Sequence, residues 1–595
     1  MRLLPVRAAL CALLAAVCSA APSALTLPDG EAGVPYSWVL DGCGVSTEPD
    51  EVCDATLVND ALPPGLLLDS ASRLTGSPTA KGVYNFTVRF QQYPHQIVDR
   101  VYRLEVKDGG GSPAAISVNR SVLYFGVSPD GRVKTSPQTV SITTPSEQGA
   151  GWSAISDNSR FTLNGHLIEQ DTKARDFLVA AASGANREVM QGTITVTSSR
   201  PLPGSLHNIK VVESVVDSTA APMGGFDTPL DNSVVWGTIP ISGWALDNIE
   251  VTKVEIWREP VAGEDVPKGD LVYIGDANFI PDARPDVEAE HSETPLNYRA
   301  AWGYTVLTNG LPGADSATSA PNKVYKLHAI AHNKAGLTTD LGTRTITVDI
   351  TGGAKPFGYI DTPAPCAAVS GQLTSFAWAL TQPPYSIPAD GSTIWVGLDG
   401  QVVGHPVYNQ FREDVAAAFP DFVNSRGAVG YYQLDTGKLA NGVHTISWVV
   451  ADNGGRSAEI GSRAFQVRNG GAANSRKSLT PPPAPASSGG ILLRRGFDPN
   501  QQPETLTPNQ QGDFSLQMEQ LGRIEVQLGA VDGYQLVKDQ RRPLPIGSSI
   551  KDGTFYWQAG VGFLGRFHLV LVRADGSEAR LDVNVVPKTY SPAAQ

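Results

Sequence analysis

The chain has 595 residues, a formal net charge of −13 and a pI near 5.2, with 60 glycines and 44 prolines. Its length suits about four domains of ordinary size, or more if they are small. No run of lysine and arginine is long enough to follow a phosphate backbone, so the composition argues against nucleic acid as a partner. So much glycine and proline predicts many tight turns between short strands and no long helix.

Residues 1–20 have the pattern of a secretory signal peptide. Two arginines precede an apolar run over residues 8–17, and small residues surround Ala20. This run is too short to span a bilayer, so we expect cleavage near Ala20 and a secreted or cell-surface mature chain. A lipoprotein interpretation would use Cys18, but the bulky Val17 precedes it. No later stretch has the length of a membrane helix.

Cys43 and Cys53 flank the loop CGVSTEPDEVC and are expected to close it as a disulfide. Such a bond in an exported chain stabilises the fold by roughly 2–3 kcal/mol. The alternative is a pair of free thiols. Neither alternative gives a metal site, because no second cysteine pair or nearby histidine completes four ligands. Cys366 is then left without a partner.

Apolar and polar residues alternate through most of the mature chain. In VYNFTVRF, for example, Tyr84, Phe86 and Val88 fall on one face of a strand and the polar residues between them fall on the other. Turn clusters such as VSPDGR and VADNGG separate these runs. Many short alternating strands with frequent turns predict an all-β protein of antiparallel sheets packed in pairs as sandwiches.

Glycine-rich and proline-rich stretches divide the chain into five predicted modules joined by short linkers. The clearest linker, RNGGAANSRKSLTPPPAPASSGG, has no apolar period and favours an extended, solvated spacer. The predicted boundaries are 1–20 for the signal peptide, 23–108, 114–217, 222–351 and 355–468 for four modules, 469–490 for the linker, and 491–588 for the last module.

The third and fourth modules share a repeated sequence. DTPLDNSVVWGTIPISGWAL begins at Asp227 and DTPAPCAAVSGQLTSFAWAL at Asp361, and the same offset relates Trp244 to Trp378. Similar internal order over this length predicts a duplicated folding unit that buries its own core. We expect Trp244 and Trp378 to fill the space between the sheets of each unit.

These modules resemble known families. The repeated pair resembles bacterial immunoglobulin-like repeats of exported proteins, and VLYFGVSPDGRVKTSPQTVSIT in the second module is similar to BACON-type modules. The first module resembles the immunoglobulin or cadherin-like domains of bacterial surface proteins. The positions that carry this resemblance are Leu62, Pro63, Gly65, Leu66, Asp69, Gly76, Pro78, Gly82, Tyr84, Phe86 and Val88.

The last module repeats the scheme of the first. Its matching positions are Gly547, Ile550, Gly565, Phe567 and Leu569, while a segment around Trp557 replaces Gly-x-Pro. Together the resemblances imply tandem immunoglobulin-like sandwiches, a scaffold usually attached to binding or adhesion roles.

Calcium is a candidate ligand because cadherin-like domains often bind it. Tight calcium loops bring several carboxylate or amide oxygens together, and no Asp-x-Asp-x-Asp loop occurs here. The nearest candidates are Asp247 with Asn248 and Asp452 with Asn453. The alternative is that these side chains cap turns. We therefore expect no cofactor, with calcium as the one ion to test.

The sequence offers little for catalysis. His328 and His332 lie four residues apart in one predicted strand, about 13 Å, which is too far to share a metal, and we expect them to face solvent. EAEHSE gathers carboxylates around His291 in a predicted loop and is the basis of the weakest alternative, a secreted metal-dependent hydrolase.

Two tryptophans point away from the apolar face of their predicted strands. Trp257 and Trp395 alternate with buried aliphatic positions, so each offers a ring for a sugar or a protein partner. The alternative is that each ring covers a neighbouring strand or module.

We therefore predict a non-catalytic exported protein with a structural, adhesive or cell-surface role, and a carbohydrate-binding or cell-wall-binding protein as the alternative. Its partner would be an extracellular protein or polysaccharide.

Overall fold

The structure is a computed structural model. It describes residues 24–32, 36–40, 53–59, 61–69, 72–76, 78–92, 96–107, 116–143, 151–171, 175–182, 189–198, 206–267, 269–312, 323–349, 355–469, 490–497, 501–538, 540–573 and 575–590. The predicted signal peptide, Cys43 with its predicted disulfide, and residues 470–489 of the predicted linker lie outside these residues. In the described part, no helix has the length and apolar character needed to cross a membrane.

The all-β prediction is confirmed, because paired β-sheets make up nearly all the regular structure. The chain divides into two compact units. One unit is Met1–Ala115 with Gly149–Ser153 and Thr197–Ser205, and the other is Ile116–Gln148, Ala154–Val196 and Leu206–Gln595.

Residues 25–107 form two facing sheets around one core. Phe86, Val88 and Phe90 alternate into this core as the sequence pattern predicts, beside Trp38 and Leu104. The strands are β1 (Leu25–Thr26), β2 (Gly30–Glu31), β3 (Tyr36–Val39), β4 (Cys53–Asn59), β5 (Leu66–Leu68), β6 (Arg73–Gly76), β7 (Gly82–Gln92) and β8 (Gln96–Lys107). The sheet orders are β1-β8-β7-β4, with β2 also on β8, and β3-β6-β5.

Residues 117–215 contribute two more sheets, ordered β10-β17-β16-β12-β14 and β13-β15-β11-β9. The strands are β9 (Ser117–Val118), β10 (Val122–Val127), β11 (Gln138–Thr143), β12 (Trp152–Ser156), β13 (Phe161–Leu163), β14 (Ile168–Asp171), β15 (Arg175–Ala181), β16 (Met190–Ser198) and β17 (Leu206–Val215).

The first copy of the repeat follows. Its sheet order is β18-β20-β23-β22-β21-β24-β25-β19, in which β22 pairs on both sides and joins the two layers. The elements are β18 (Met223–Thr228), β19 (Ser233–Val235), β20 (Thr238–Leu246), β21 (Val251–Arg258), β22 (Val272–Phe279), α1 (Pro285–Glu290), β23 (Ala301–Leu307), β24 (Lys323–Asn333) and β25 (Thr338–Val348), with short 3-10 helices at Asn297–Arg299 and Thr308–Gly310.

The second copy has the orders β26-β28-β32-β31 and β27-β34-β33-β29-β30. Its elements are β26 (Phe357–Ile360), β27 (Ala368–Val369), β28 (Gln372–Leu380), β29 (Ile394–Leu398), β30 (Gln401–Gly404), β31 (Val407–Gln410), α2 (Glu413–Ala418), β32 (Val429–Asp435), β33 (Gly442–Ala451) and β34 (Ser457–Val467), with 3-10 helices at Ser425–Gly427 and Thr436–Lys438. Here β30 and β31 take the place of β22.

The repeated sequence encodes equivalent ion pairs in the two copies. Arg284 Nη1 lies 2.5 Å from Asp227 Oδ2, and Arg412 Nη1 lies 2.5 Å from Asp361 Oδ2. Each pair ties the end of the first strand to the residue directly before the short helix. The duplicated DTP motif and the duplicated arginine therefore specify one contact twice.

The prediction for Trp244 and Trp378 was wrong. Trp378 packs against Phe419 after α2, with ring centroids 5.3 Å apart, and Trp244 packs on His291 after α1. Both rings lie on the outer face of their strands, because the helical segment covers that face. The residues that fill the sandwich interiors are Trp302 and Trp448, which are 0% and 1% exposed.

The last segment forms a nine-stranded sheet system that folds over itself. The long strand β38 pairs with β35 and β41 in its first half and with β42 and β39 in its second half. The strands are β35 (Ile491–Arg495), β36 (Glu504–Leu506), β37 (Phe514–Glu519), β38 (Arg523–Val537), β39 (Gln540–Arg542), β40 (Ser548–Lys551), β41 (Gly553–Gln558), β42 (Gly565–Arg573) and β43 (Glu578–Val586).

A shared pairing recurs along the chain. In each of the five segments an early strand pairs parallel with the last strand, and in the first segment β2 also pairs parallel with β8. The other pairings with a defined register are antiparallel. This pairing covers the edge of the last strand, which would otherwise present unpaired backbone groups. The parallel pairs in the described residues are β1-β8, β2-β8, β10-β17, β19-β25, β27-β34 and β37-β43.

Two buried glutamines join the last segment to both repeats inside the second unit. Gln520 Nε2 donates to Ser242 Oγ over 3.0 Å in the first repeat. Gln558 Nε2 donates to Glu459 Oε1 over 2.6 Å, and Gln558 Oε1 accepts from Ser447 Oγ over 2.7 Å, both in the second repeat. The glutamines are 1% and 3% exposed, so these partners replace water that neither side chain can reach.

Candidate functional site

A groove of about 260 Å³ lies where the second repeat meets the last segment. We call it the Trp395 groove, and its size is near the lower end of the range for small-molecule sites, about 300–1,000 Å³. Both sides of the groove belong to the second compact unit. Its lining residues are Trp395, Gln401, Val402, Arg494, Phe497, Arg523, Glu525, Lys551, Asp552 and Tyr556.

A tight hairpin from the second repeat forms one wall. Strands β29 and β30 are joined by Asp399 and Gly400, whose φ angles are 47° and 78°. Two central residues with positive φ define a type I′ turn, the turn that Asp-Gly sequences favour. Asp399 accepts hydrogen bonds from His444 Nδ1 and Thr445 N, at 2.6 and 2.9 Å, which hold the turn on the adjacent strand.

A second hairpin of the same kind forms another part of the wall. Strands β40 and β41 are joined by Asp552 and Gly553, with φ angles of 50° and 78°. This hairpin contributes Lys551 and Asp552 at its exposed tip and Tyr556 further along β41. The site therefore lies between two Asp-Gly hairpins that are about 150 residues apart in the chain.

Arg523 forms the floor of the groove and connects its walls. Its Nε donates to Gly400 O over 2.5 Å and its Nη1 to Gly496 O over 2.6 Å. Its guanidinium carbon lies 4.9 Å from the ring centroid of Phe497 and 5.8 Å from that of Tyr556. Burial lowers the pKa of Arg523, and the nearby Glu525 carboxylate opposes that shift. The guanidinium stays charged at neutral pH and fixes both rings.

Glu525 accepts from two arginines at once. Arg523 Nη2 lies 2.6 Å from Glu525 Oε1, and Arg494 Nη1 lies 2.9 Å from Glu525 Oε2. Arg494 Nε also donates to Gln501 O over 3.2 Å. Because Glu525 is shared, its single charge does not neutralise both guanidinium groups.

The structure places Trp395 at this site and Trp257 elsewhere. Trp395 is half-buried between the fully buried Ile394 and Val396, so its ring points to the opposite side of β29. Trp257 packs edge-on against Tyr273, with ring centroids 5.1 Å apart, and its Nε1 donates to a carboxylate on the same strand. Trp257 therefore covers a neighbouring strand, which is the alternative stated for it above.

Sequence reasoning missed most of the groove. Phe497, Tyr556, Arg494 and Lys551 come from the last segment, and no local pattern relates them to Trp395. The dipeptides Asp-Gly in LDGQ and KDGT do predict two hairpins. Nothing in those dipeptides predicts that the hairpins meet.

The calcium candidates cap turns in the structure. Asp247 Oδ1 accepts from Ile249 N over 2.8 Å, and Asp247 Oδ2 accepts from Asn333 Nδ2 over 3.0 Å. At the equivalent place in the second repeat, Asp452 Oδ2 accepts from Thr381 Oγ1 over 2.8 Å. In the first repeat Asp247 is the acceptor and Asn333 the donor. In the second repeat Thr381, at the position of Asp247, is the donor, and Asp452 is the acceptor.

The amides next to these carboxylates are also engaged. Asn248 Nδ2 donates to Asp217 O over 2.5 Å, and Asn453 Oδ1 accepts from Ser386 N over 3.0 Å. Arg456 Nη2 lies 2.6 Å from Asp452 Oδ2 and supplies a cation beside that carboxylate.

We expect calcium to have no effect on stability, because the carboxylates of Asp247 and Asp452 and the amide oxygen of Asn453 already accept protein hydrogen bonds. Thermal unfolding of the full chain should show the same midpoint in excess calcium and in excess chelator. Asp452→Ala should destabilise the second repeat by about 1–3 kcal/mol in both buffers, since it removes the carboxylate that accepts from both Thr381 and Arg456. A midpoint that rises with calcium in the parent chain and not in Asp452→Ala would instead identify an ion site.

The histidines do not converge. His328 Nδ1 lies 2.8 Å from Asp340 Oδ2, and His332 Nε2 lies 2.9 Å from Glu255 Oε2. Both rings are half-buried rather than facing solvent freely, because each is held against a carboxylate on a neighbouring strand. The two rings therefore contact two separate carboxylates.

The segment EAEHSE, predicted as a loop, begins in the short helix α1 and continues as a turn from His291 to Glu293. His291 directly follows α1 and packs on Trp244, with ring centroids 5.2 Å apart. Glu288 is buried and paired with Arg542, whereas Glu290 and Glu293 are exposed. Within the described ranges, no group of three or more histidine, cysteine or acidic side chains is close enough to hold a metal ion.

The fold and these contacts define the class of the molecule as a tandem array of immunoglobulin-like β-sandwich modules. Residues 19–107 match the family described as "Putative Ig domain", which confirms the resemblance of the first module. No curated protein matches the sequence.

The chain also matches solved structures at low sequence identity. The chain is 10% identical to the insect immune protein hemolin, covering 80% of this chain and 100% of that one, with a TM-score of 0.19. It is 12% identical to the human Desmocollin-1 ectodomain over 97% and 100%, with a TM-score of 0.14. It is 17% identical to fibronectin(III)-like modules of Clostridium thermocellum CbhA over 43% and 98%, with a TM-score of 0.14. At these scores the likenesses carry no argument about function.

Proposed function

We propose that this chain is an exported, non-catalytic adhesion protein that binds a polysaccharide in the Trp395 groove. The observation that carries the proposal is the groove itself, in which three aromatic rings stand among hydrogen-bonding side chains. Trp395, Phe497 and Tyr556 supply the rings, and the polar lining residues surround them.

This combination suits a sugar better than a purely apolar ligand. A pyranose ring has flat C–H faces that stack on aromatic rings and hydroxyl groups around its edge that need donors and acceptors. Gln401 and Asp552 offer such groups beside the rings. Burial raises the pKa of the Tyr556 phenol, so its hydroxyl is protonated and able to donate at neutral pH.

Hydrogen bonds hold the two hairpins of the site together, which favours binding. Gln401 Nε2 donates to Ser549 Oγ over 2.7 Å, and Ser549 Oγ donates to Asp399 O over 2.7 Å, so the two hairpins are bonded to each other. A preformed site loses less conformational entropy when it binds a ligand. The proposed signal peptide at residues 1–20 and the proposed modules at 23–108, 114–217, 222–351, 355–468 and 491–588 fit a protein that acts outside the cytoplasm.

A structural role is the second candidate. The buried glutamine contacts between the last segment and both repeats favour it, because they fix several sandwiches in one compact unit. A spacer of this kind needs no ligand. The two candidates differ in whether the groove retains a glycan.

Trp395→Ala is expected to weaken glycan binding at least about tenfold while leaving the fold intact. The measurement is retention of the purified full chain on insoluble glycans and cell-wall preparations, followed by calorimetry with the retained glycan. Trp257→Ala is the matched control, because Trp257 is also a half-buried strand tryptophan but lies outside the groove.

Equal retention of both variants and the parent chain would contradict a role for the groove. Absence of retention on every glycan and cell wall would favour the structural role. Product release from a glycan or peptide substrate by the parent chain would contradict the non-catalytic proposal.

A further inference from the structure

The charges around the Trp395 groove differ from those of the chain as a whole. The chain has a net charge of −13, yet three cations and two carboxylates line the groove. One of the two carboxylates, Glu525, is already shared by Arg494 and Arg523. The groove is therefore a locally basic site on an acidic protein.

Two of the cations remain able to bind a ligand. Lys551 stands at the exposed tip of the β40-β41 hairpin and has no hydrogen-bond or ion-pair partner among the residues that the structure describes. Arg494 uses Nη1 for Glu525 and Nε for Gln501 O, so its Nη2 faces no acceptor in the described chain. In contrast, all three side-chain nitrogens of Arg523 donate hydrogen bonds to protein acceptors.

Carboxylate groups are the natural complement of this pair of donors. An ammonium and a guanidinium N–H form charge-assisted hydrogen bonds with carboxylate oxygens, and these bonds are roughly twice as strong as neutral ones. The stacking rings beside them favour a carboxylate attached to a sugar ring, because an acidic peptide has no flat ring for Trp395 and Tyr556.

We propose that the Trp395 groove selects acidic polysaccharides, with a uronate carboxylate held by Lys551 and Arg494 while its ring stacks on Trp395 or Tyr556. This inference rests on the proposed function and specifies its ligand class. Asp552, at the same hairpin tip, would repel a second carboxylate and so limits the site to one acidic unit at a time.

The test compares two forms of one glycan. Oligogalacturonate and its fully methyl-esterified form share a backbone and differ only in charge. We expect the full chain to bind the free acid about tenfold more tightly in calorimetry at low salt, and to lose most of that preference at about 1 M salt. Lys551→Gln should reduce the preference to near parity, and Lys551→Arg should restore it. Lys438→Gln, an exposed lysine outside the groove, should leave the preference unchanged.

The outcomes separate this inference from the proposed function. Equal affinity for both forms that depends on Trp395, or binding of a neutral glucan alone, would overturn the acidic preference and keep the glycan site. Polyglutamate bound as tightly as oligogalacturonate would overturn the choice of a sugar. Failure to bind any glycan would overturn both proposals.

Discussion

Trp448→Ala is expected to lower the free energy of unfolding of the second repeat by about 3–5 kcal/mol. Trp448 is 1% exposed, and its Nε1 donates to Ser375 Oγ over 3.0 Å inside the sandwich. The substitution removes a large buried ring and leaves a buried hydroxyl without its donor. Hydrogen exchange of peptides from residues 357–467 measures the loss within the full chain, where a single unfolding midpoint would mix several modules.

Two comparisons make the result specific. Trp395→Ala, on the strand that pairs with that of Trp448, should change exchange of the same peptides little because its ring is half-buried. Trp448→Phe should lower the free energy of unfolding more than Trp302→Phe does. The Trp448 substitution removes a hydrogen bond to Ser375, whereas Trp302 Nε1 is buried without a hydrogen-bond partner in the described chain. Comparable destabilisation by Trp395→Ala and Trp448→Ala would show that the core assignment is wrong.

Arg542→Met is expected to destabilise the second unit by about 3–5 kcal/mol, because it leaves a buried carboxylate without its cation. Arg542 Nη2 lies 2.8 Å from Glu288 Oε1, and these side chains are 8% and 9% exposed. Arg542 Nη1 also donates to Asn119 O, and the adjacent Arg120 pairs with Asp282 over 2.6 Å. One arginine therefore connects the last segment, the first repeat and the segment before it.

The loss should depend on pH in a definite direction. Burial raises the pKa of Glu288 above its ordinary value, and Arg542 opposes this shift. Without Arg542 the pKa rises further, so the charged carboxylate disfavours folding at pH values above its unfolded pKa, about 4.3. The difference in stability between Arg542→Met and the parent chain should therefore be small near pH 4 and grow as the pH rises to 8.

Chemical denaturation at several pH values measures this difference. Arg541→Met is the matched control, because the neighbouring Arg541 is 71% exposed and should change stability by no more than about 0.5 kcal/mol. Replacing Arg542 and Glu288 together by Met and Leu should recover much of the loss, since no unpaired charge remains. A loss for Arg542→Met that is independent of pH would contradict this account of the junction.

Local patterns predicted the sandwich strands well and failed where both faces of a strand are covered. The alternation around Phe86 and Val88 reports one buried face, and the structure has those residues in the core. In β20 and β28 nearly every residue near Trp244 and Trp378 is buried, because a helical segment covers the outer face. Alternation is lost there, and the sequence cannot distinguish the inner tryptophan from the outer one.

The duplicated motif has a physical meaning that became visible only through contacts. The Asp-Thr-Pro segments and the later arginines are both readable from the sequence, and the ion pairs between them repeat in each copy. Asn333 donates to Asp247 in the first copy, and Thr381 donates to Asp452 in the second, so donor and acceptor are exchanged. This exchange could not be predicted from the sequence of either copy alone. It requires knowing which turns lie side by side.

The sequence by itself determined the all-β class, the strand periods, the Asp-Gly turns and the duplication, because each depends on residues within a few positions of one another or on direct similarity. Tertiary structure alone decided that the last segment lies against both repeats, and therefore that Trp395, Arg494 and Lys551 line one groove. The same holds for the junction at Arg542. Those contacts join residues far apart in the chain, and they form because buried polar groups on one sandwich must find partners on another.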